Sequence, residues 1–163
     1  MNKPLIFVTT GTQLPFERLI SQVDRWAGVN NNVNVVAQTA NSKAKYYHLK
    51  SVDFLTPQEY DEYTSLADVI VGHAGMGTII TGIEKNKPTI LMARKFEYGE
   101  HRNDHQNATV EKFKRTKGIY IAKNDTELNF FLDIHDKLQS AESVDIDNRT
   151  MLIEYLSSEI KGG

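Results

Sequence analysis

The chain contains no cysteine. That excludes disulfides, a thiolate nucleophile and a thiolate-held metal, and it fits a reducing compartment. It has no strong bias of charge either. Its 19 Lys and Arg against 21 Asp and Glu leave a formal net charge of -2, without the basic excess that nucleic-acid binding calls for. Long apolar runs are missing as well. Leu5-Ile6-Phe7-Val8 is too short for a signal peptide or a membrane span, and no other run approaches the roughly 18 apolar residues of a spanning helix. No repeat or low-complexity linker divides the 163 residues, a length sufficient for a buried core. The expectation is a single soluble, cytoplasmic domain over residues 1–163.

Short apolar runs alternate with longer amphipathic stretches. Leu5 to Val8 reads as a buried strand leading into Thr9-Thr10-Gly11-Thr12, and Pro15 fits the first turn of a helix striped by Phe16, Leu19, Ile20, Val23 and Trp26. Residues 33–37 predict a second strand, 41–50 a polar loop or short helix, and 52–55 a brief third strand. A helix from Pro57 runs to a fourth strand at 69–71, and a helix through Ile79, Ile80 and Ile83 closes near Asn86-Lys87-Pro88. A fifth strand at 89–92, a helix ending near Lys117-Gly118 and a sixth strand at 119–121 follow. Thr126–Leu138 and Asn148–Ile160 predict two C-terminal helices. Strands alternating with helices specify an α/β fold, a parallel sheet wound on both faces.

Two segments carry the chemistry. In Val71-Gly72-His73-Ala74-Gly75-Met76-Gly77-Thr78 a buried strand delivers a glycine-rich turn onto a helix start, whose N–H groups and dipole suit a phosphate or diphosphate. Gly99-Glu100-His101-Arg102-Asn103-Asp104-His105-Gln106-Asn107 is a dense polar cluster after the next strand. Both fall on the carboxyl edge of one sheet, where open α/β folds bind ligands.

The ordered set Val8-Thr9-Thr10-Gly11-Thr12 with Phe16-Glu17-Arg18-Leu19-Ile20, then residues 67–78, Lys87-Pro88, Gly99-Glu100-His101 and Asp104-His105-Gln106 resembles the C-terminal, donor-binding domain of glycosyltransferase family 28. The stand-alone members look most similar: the cytosolic subunit of the dolichol-pathway N-acetylglucosaminyltransferase and bacterial exopolysaccharide and capsule transferases. The motifs span about residues 5–122, leaving 123–163 as C-terminal helices. The resemblance implies the C-terminal, Rossmann-like half of a GT-B fold that binds a UDP-sugar. It implies an inverting transfer of a hexose or N-acetylhexosamine to a polyprenyl-diphosphate-linked acceptor in cell-surface polysaccharide synthesis. The acceptor and the catalytic base are then expected on a membrane-anchored partner subunit, which would hold this chain at the inner face of the membrane. No metal and no cofactor are expected.

Residue by residue, Gly11 and Thr12 are expected to face the diphosphate or the acceptor, the plain alternative being a tight strand-to-helix turn. Gly75, Met76, Gly77 and Thr78 are expected to stabilise the charge on departing UDP with fixed N–H donors, the alternative being close packing of helix on strand. His73, at a strand end, either reaches a phosphate or ribose or is a half-buried structural residue. Many family members hold the ribose with a glutamate where this chain has Thr81, and Glu84 lies further along; a threonine cannot give the two-oxygen grip of a carboxylate. Glu100, His101, Asp104, His105 and Gln106 match the segment that contacts the donor sugar, although Asp104 also suits a helix cap. Arg94, Lys95 and Arg102 add positive charge near the diphosphate. His101 and His105 are four apart, but Arg102 stands where a zinc-protease motif needs glutamate. Asp145-Ile146-Asp147 reads as a helix cap rather than a metal-nucleotide motif.

Other functions fit less well. A UDP-sugar 2-epimerase of this fold needs both halves in one chain, and a signalling receiver needs an acidic pair where Thr9-Thr10 stand. A nucleotide-sugar-binding regulatory module without turnover is the alternative that stays open.

Overall fold

The computed structural model describes residues 2–11, 14–98 and 105–140, with positions 96 and 105–107 described by backbone alone. Its element order is β1 (Leu5–Thr9), α1 (Glu17–Gly28), β2 (Asn34–Gln38), β3 (Lys50–Val52), α2 (Pro57–Leu66), β4 (Val69–His73), α3 (Met76–Glu84), β5 (Thr89–Met92), α4 (His105–Phe113), β6 (Ile119–Ile121) and α5 (Asp125–Asp133). All strand pairs are parallel, in the order β3-β2-β1-β4-β5-β6.

The central strands are apolar without alternation because both faces are covered. Ile6, Val8, Val69, Val71, Ile90 and Met92 point to one face, where Leu19, Ile20, Val23 and Trp26 of α1 and Leu128 and Leu132 of α5 close over them. Phe7 and Ile70 point to the other, under Tyr60 and Tyr63 of α2; Leu91 lies beyond them under α3 and α4. Phe7 stacks on Tyr63 with ring centres 5.6 Å apart and meets Tyr60 edge-on at 5.8 Å. Side chains also link the helices. Trp26 Nε1 donates to Asp133 Oδ1 at 2.8 Å and Gln22 Nε2 to Asn129 Oδ1 at 2.9 Å, tying α1 to α5.

Helix starts follow the local chemistry. Thr56 and Glu59 form a capping box ahead of Pro57, and Asn124 Oδ1 accepts from Glu127 N at the start of α5. Pro15 lies outside α1, which begins at Glu17 after Phe16. β2 extends to Gln38, β3 lies at Lys50–Val52 rather than 52–55, and β4 extends to His73. Residues 41–49 form no helix. The C-terminal helix predicted from Thr126 ends at Asp133 and is followed by a 3-10 turn at His135–Lys137. The helix expected at 148–160 and Asp145-Ile146-Asp147 lie outside the described residues. Among the described residues no helix is long and apolar enough to cross a membrane.

Candidate functional site

β1 and β4 lie side by side at the centre of the sheet, and the chain leaves them toward opposite faces, into α1 and α3. This reversal opens a crevice at their carboxyl ends, the place where doubly wound sheets take ligands. The segment after β4 is very short. Gly75 is the extended N-cap of α3 (φ -98°, ψ 153°) and gives no side-chain cap, so no side chain of the N-cap covers the first-turn amides. Those amides belong to Met76, Gly77 and Thr78, and the positive end of the helix dipole adds to their pull on an anion.

His73 joins the two loops. A β-carbon at Gly75 would lie 2.2 Å from His73 Nε2, and one at Gly11 would lie 3.1 Å from Cε1. Gly11 also has φ +78°, a left-handed conformation that favours glycine. The imidazole is thus seated between two glycines, with Thr78 Oγ1 3.5 Å from Nδ1. The Gly11 N–H donates to Thr9 Oγ1 at 3.2 Å. The Gly11 amide is thus engaged within its own loop, whereas no N-cap side chain occupies the first-turn amides of α3.

Below the first loop lies a polar floor that the apolar pattern did not announce. Thr9, Thr10 and Gln38 are all buried; Thr9 Oγ1 donates to Gln38 Oε1 at 3.2 Å and Thr10 Oγ1 to the Gln38 carbonyl at 3.3 Å. Arg94 is only 3% exposed, and its Nη2 donates to the carbonyls of Thr10 and Leu14. Its guanidinium also lies 5.4 Å from the centre of the Phe16 ring. Arg94, expected to add positive charge near the diphosphate, is thus a strut of the β1 loop in this structure.

Arg18 makes the reciprocal contact. From the first turn of α1 it donates to Met92 Sδ at 3.2 Å and to the Ala93 carbonyl at 3.0 Å, and its guanidinium lies 5.4 Å from the Tyr98 ring centre. Arg18 belongs to the recognised Phe16–Ile20 motif, yet nothing in its sequence setting pointed to β5.

Thr81 faces α2. Its hydroxyl donates to the Gly77 carbonyl at 2.8 Å and accepts from Tyr60 at 3.4 Å. Burial pushes the Tyr60 phenol above its ordinary pKa, so it remains a donor at neutral pH. Tyr60 reads in the sequence only as part of an apolar stripe. Glu84 is exposed at the end of α3. His105 and Gln106 open α4, whereas Thr12, Glu100, His101, Arg102 and Asp104 lie outside the described residues.

A parallel sheet in this strand order, with a glycine-capped helix at the point of reversal, defines a Rossmann-like half-domain of the GT-B glycosyltransferase type. The chain belongs to the family described as the glycosyltransferase family 28 C-terminal domain, whose model matches residues 5–143. It is 29% identical over 90 residues to the UDP-N-acetylglucosamine transferase subunit ALG13 of Debaryomyces hansenii, a match that covers 55% of this chain and 41% of the yeast protein. Among solved structures it is similar to an ALG13 solution structure (TM-score 0.63, 18% identity, 91% of this chain and 93% of that one). It is also similar to MurG of Acinetobacter baumannii (TM-score 0.62, 14% identity, 97% and 51%) and to the kitacinnamycin glycotransferase (TM-score 0.64, 16% identity, 99% and 40%). At these identities the likeness to solved structures is one of fold.

Proposed function

We propose that this chain is the donor-binding subunit of an inverting glycosyltransferase that uses a UDP-sugar. It would move a hexose or N-acetylhexosamine to a polyprenyl-diphosphate-linked acceptor brought by a membrane-anchored partner. The observation that carries this reading is the uncapped start of α3 at Gly75, set beside His73 at the β1/β4 reversal in a chain of this family. When an acceptor hydroxyl attacks the anomeric carbon and the bond to UDP breaks, negative charge grows on the leaving diphosphate. Fixed amides and a helix dipole meet that charge without reorganisation. Gly75, Met76, Gly77 and Thr78 are assigned this role, with His73 closing the side of the cradle. No metal is required by this arrangement, and His105 and Gln106 at the start of α4 are assigned to the donor sugar. The acceptor, its base and a position at the inner membrane face belong to the partner in this reading. The similarity to a protein named as a transferase subunit supports that division of labour.

The test is an NMR titration of the isotopically labelled chain with UDP and UDP-N-acetylglucosamine, in EDTA and in magnesium. Shifts at residues 75–78 and 105–106 that are the same in both buffers are expected. Absence of binding, or binding only with magnesium, would overturn the proposal. Turnover is read separately, as UDP release with a polyprenyl-diphosphate acceptor, with and without the co-expressed partner. Binding without release in both cases would favour a regulatory module.

A further inference from the structure

Five side chains after β1 and β5 form a row in which cations and rings alternate. The Arg94 guanidinium lies 5.4 Å from the centre of the Phe16 ring, and that of Arg18 lies 5.2 Å from the same ring. Arg18 also lies 5.4 Å from the Tyr98 ring centre, and Lys95 Nζ lies 5.5 Å from it. All four separations fall within the roughly 6 Å over which an aromatic face attracts a cation. The row begins inside the protein at Phe16 and Arg94 and ends at Tyr98, which is 59% exposed. Arg18 is its middle member and touches both rings.

The rest of the Arg18 side chain grips β5. Arg18 stands in the first turn of α1, yet its Nη1 donates to Met92 Sδ at 3.2 Å and its Nη2 to the Ala93 carbonyl at 3.0 Å. Met92 is the last residue of β5, and its own carbonyl accepts from Ala74 N at 3.2 Å. The gripped end of β5 therefore lies beside the residue that precedes the Gly75 cap. Further on, Tyr98 closes the 3-10 turn Phe96–Tyr98, with its N–H donating to the Lys95 carbonyl at 3.1 Å. One side chain of α1 thus fixes residues 92, 93 and 98, and α4 begins at His105. A residue as exposed as Tyr98 adds little to the core. What its ring contact secures is the place of its own segment.

We infer that Arg18 is a positioning residue for the sugar of the bound nucleotide-sugar. Through Ala93 and Tyr98 it holds the chain between β5 and α4 in the arrangement that lets the start of α4 receive that sugar. In this role it touches neither the sugar nor the diphosphate. The inference rests on the UDP-sugar reading above and adds to it a residue of α1 that the reading leaves without a part. Its consequence is a separation of effects. Loss of Arg18 weakens recognition of the sugar and spares the diphosphate cradle, whose amides belong to α3.

The experiment is an NMR titration of the full labelled chain with UDP, UDP-glucose, UDP-galactose and UDP-N-acetylglucosamine. It is run on the parent, Arg18→Met, Arg18→Lys, Tyr98→Ala, Tyr98→Phe and the double variant Arg18→Met/Tyr98→Ala. The readouts are the affinity for the best-bound UDP-sugar relative to UDP, and the sugar-dependent shifts at His105 and Gln106. Arg18→Met and Tyr98→Ala should each lower that ratio about five- to tenfold, with UDP affinity within about twofold of the parent. Tyr98→Phe keeps the ring and should match the parent; Arg18→Lys keeps a cation without the planar fork and should recover part of the loss. The double variant should lose no more than Arg18→Met alone, because both changes remove one contact.

A role in folding alone would lower the melting temperature and weaken UDP and UDP-sugar alike. An unchanged ratio would therefore overturn the inference. Additive losses in the double variant would overturn it too, as would a Tyr98→Phe as damaged as Tyr98→Ala, which would place the effect in the phenol hydroxyl. If Arg18→Met does not fold, the two Tyr98 variants decide by the same ratio. A parent that binds UDP but shows no sugar-dependent shift at His105 or Gln106 sinks the inference and leaves the diphosphate cradle standing. No binding of UDP at all removes both.

Discussion

The imidazole of His73 fills the space that a β-carbon at Gly75 would need, with Nε2 2.2 Å from that position. Gly11 confines the ring on its other side, at 3.1 Å from Cε1. A methyl group at position 75 must therefore expel the ring or shift the start of α3. Gly75→Ala is expected to weaken UDP binding at least about tenfold and to destabilise the fold by about 1–3 kcal/mol, as overpacking does. The His73 ring resonances and a UDP titration check both effects. Gly77 provides the contrast, since a β-carbon there meets nothing within 4 Å. Gly77→Ala should stabilise the helix by about 0.5–1 kcal/mol, seen as a melting temperature raised by about 2 °C. The same methyl should still weaken UDP binding, because it stands beside the first-turn amides.

Replacing Arg94 should damage the first loop. Arg94→Met leaves the buried carbonyl of Thr10 and that of Leu14 without the Nη2 donor, at a cost of about 2–4 kcal/mol read from urea unfolding. Arg94→Lys should recover less than half of this, because a single ammonium cannot reproduce the planar fork. An unchanged urea midpoint in Arg94→Met would show that the strut has no energetic weight.

The α1–α5 contact can be tested apart from the crevice. Trp26→Phe keeps an aromatic ring in the core but loses the 2.8 Å bond from Nε1 to Asp133. The expected loss is about 1–2 kcal/mol from the hydrogen bond and the smaller ring. UDP affinity should not change, since Trp26 lies one helix length from the α1 start. A drop in affinity at equal folded fraction would contradict this separation.

Alkaline titration should reveal the buried phenols. Burial raises the pKa of Tyr60 and of Tyr46 above the ordinary value of 10.0, so the folded state holds these protons where the unfolded state releases them. Their contribution is therefore constant below pH 10 and declines above it. Urea midpoints should show no loss from these phenols between pH 9 and 10 and should fall above about pH 10, where free tyrosine ionises, with a shallower fall in Tyr60→Phe. Equal slopes in both proteins would remove Tyr60 from the account.

Much of this architecture could be read from the chain. Val69-Ile70-Val71 followed by Gly72 to Gly77 announced a strand, a glycine turn and a helix, because a strand covered on both faces must be continuously apolar. β3 was misplaced for the opposite reason: Lys50 and Ser51 are exposed on an edge strand held by backbone pairing to β2, so no apolar period marks them. The geometry was legible where it is set by adjacent residues, as in the Gly75 cap and its neighbour His73. It was illegible where partners are remote. Arg94 finds its acceptors 80 and 84 positions away, and Tyr60 meets Thr81 across 21. Such pairs are set by packing rather than by spacing.

The two arginines cross over one another's territory. Arg94 follows β5 and holds the loop after β1; Arg18 follows β1 and holds the end of β5, and β4 runs between those two strands. The segments that follow β1 and β5 are therefore laced together across the carboxyl end of the strand that separates them. A displacement of either segment must break its arginine contacts or carry the other segment with it, and the two loop starts are held in one arrangement before anything docks against them.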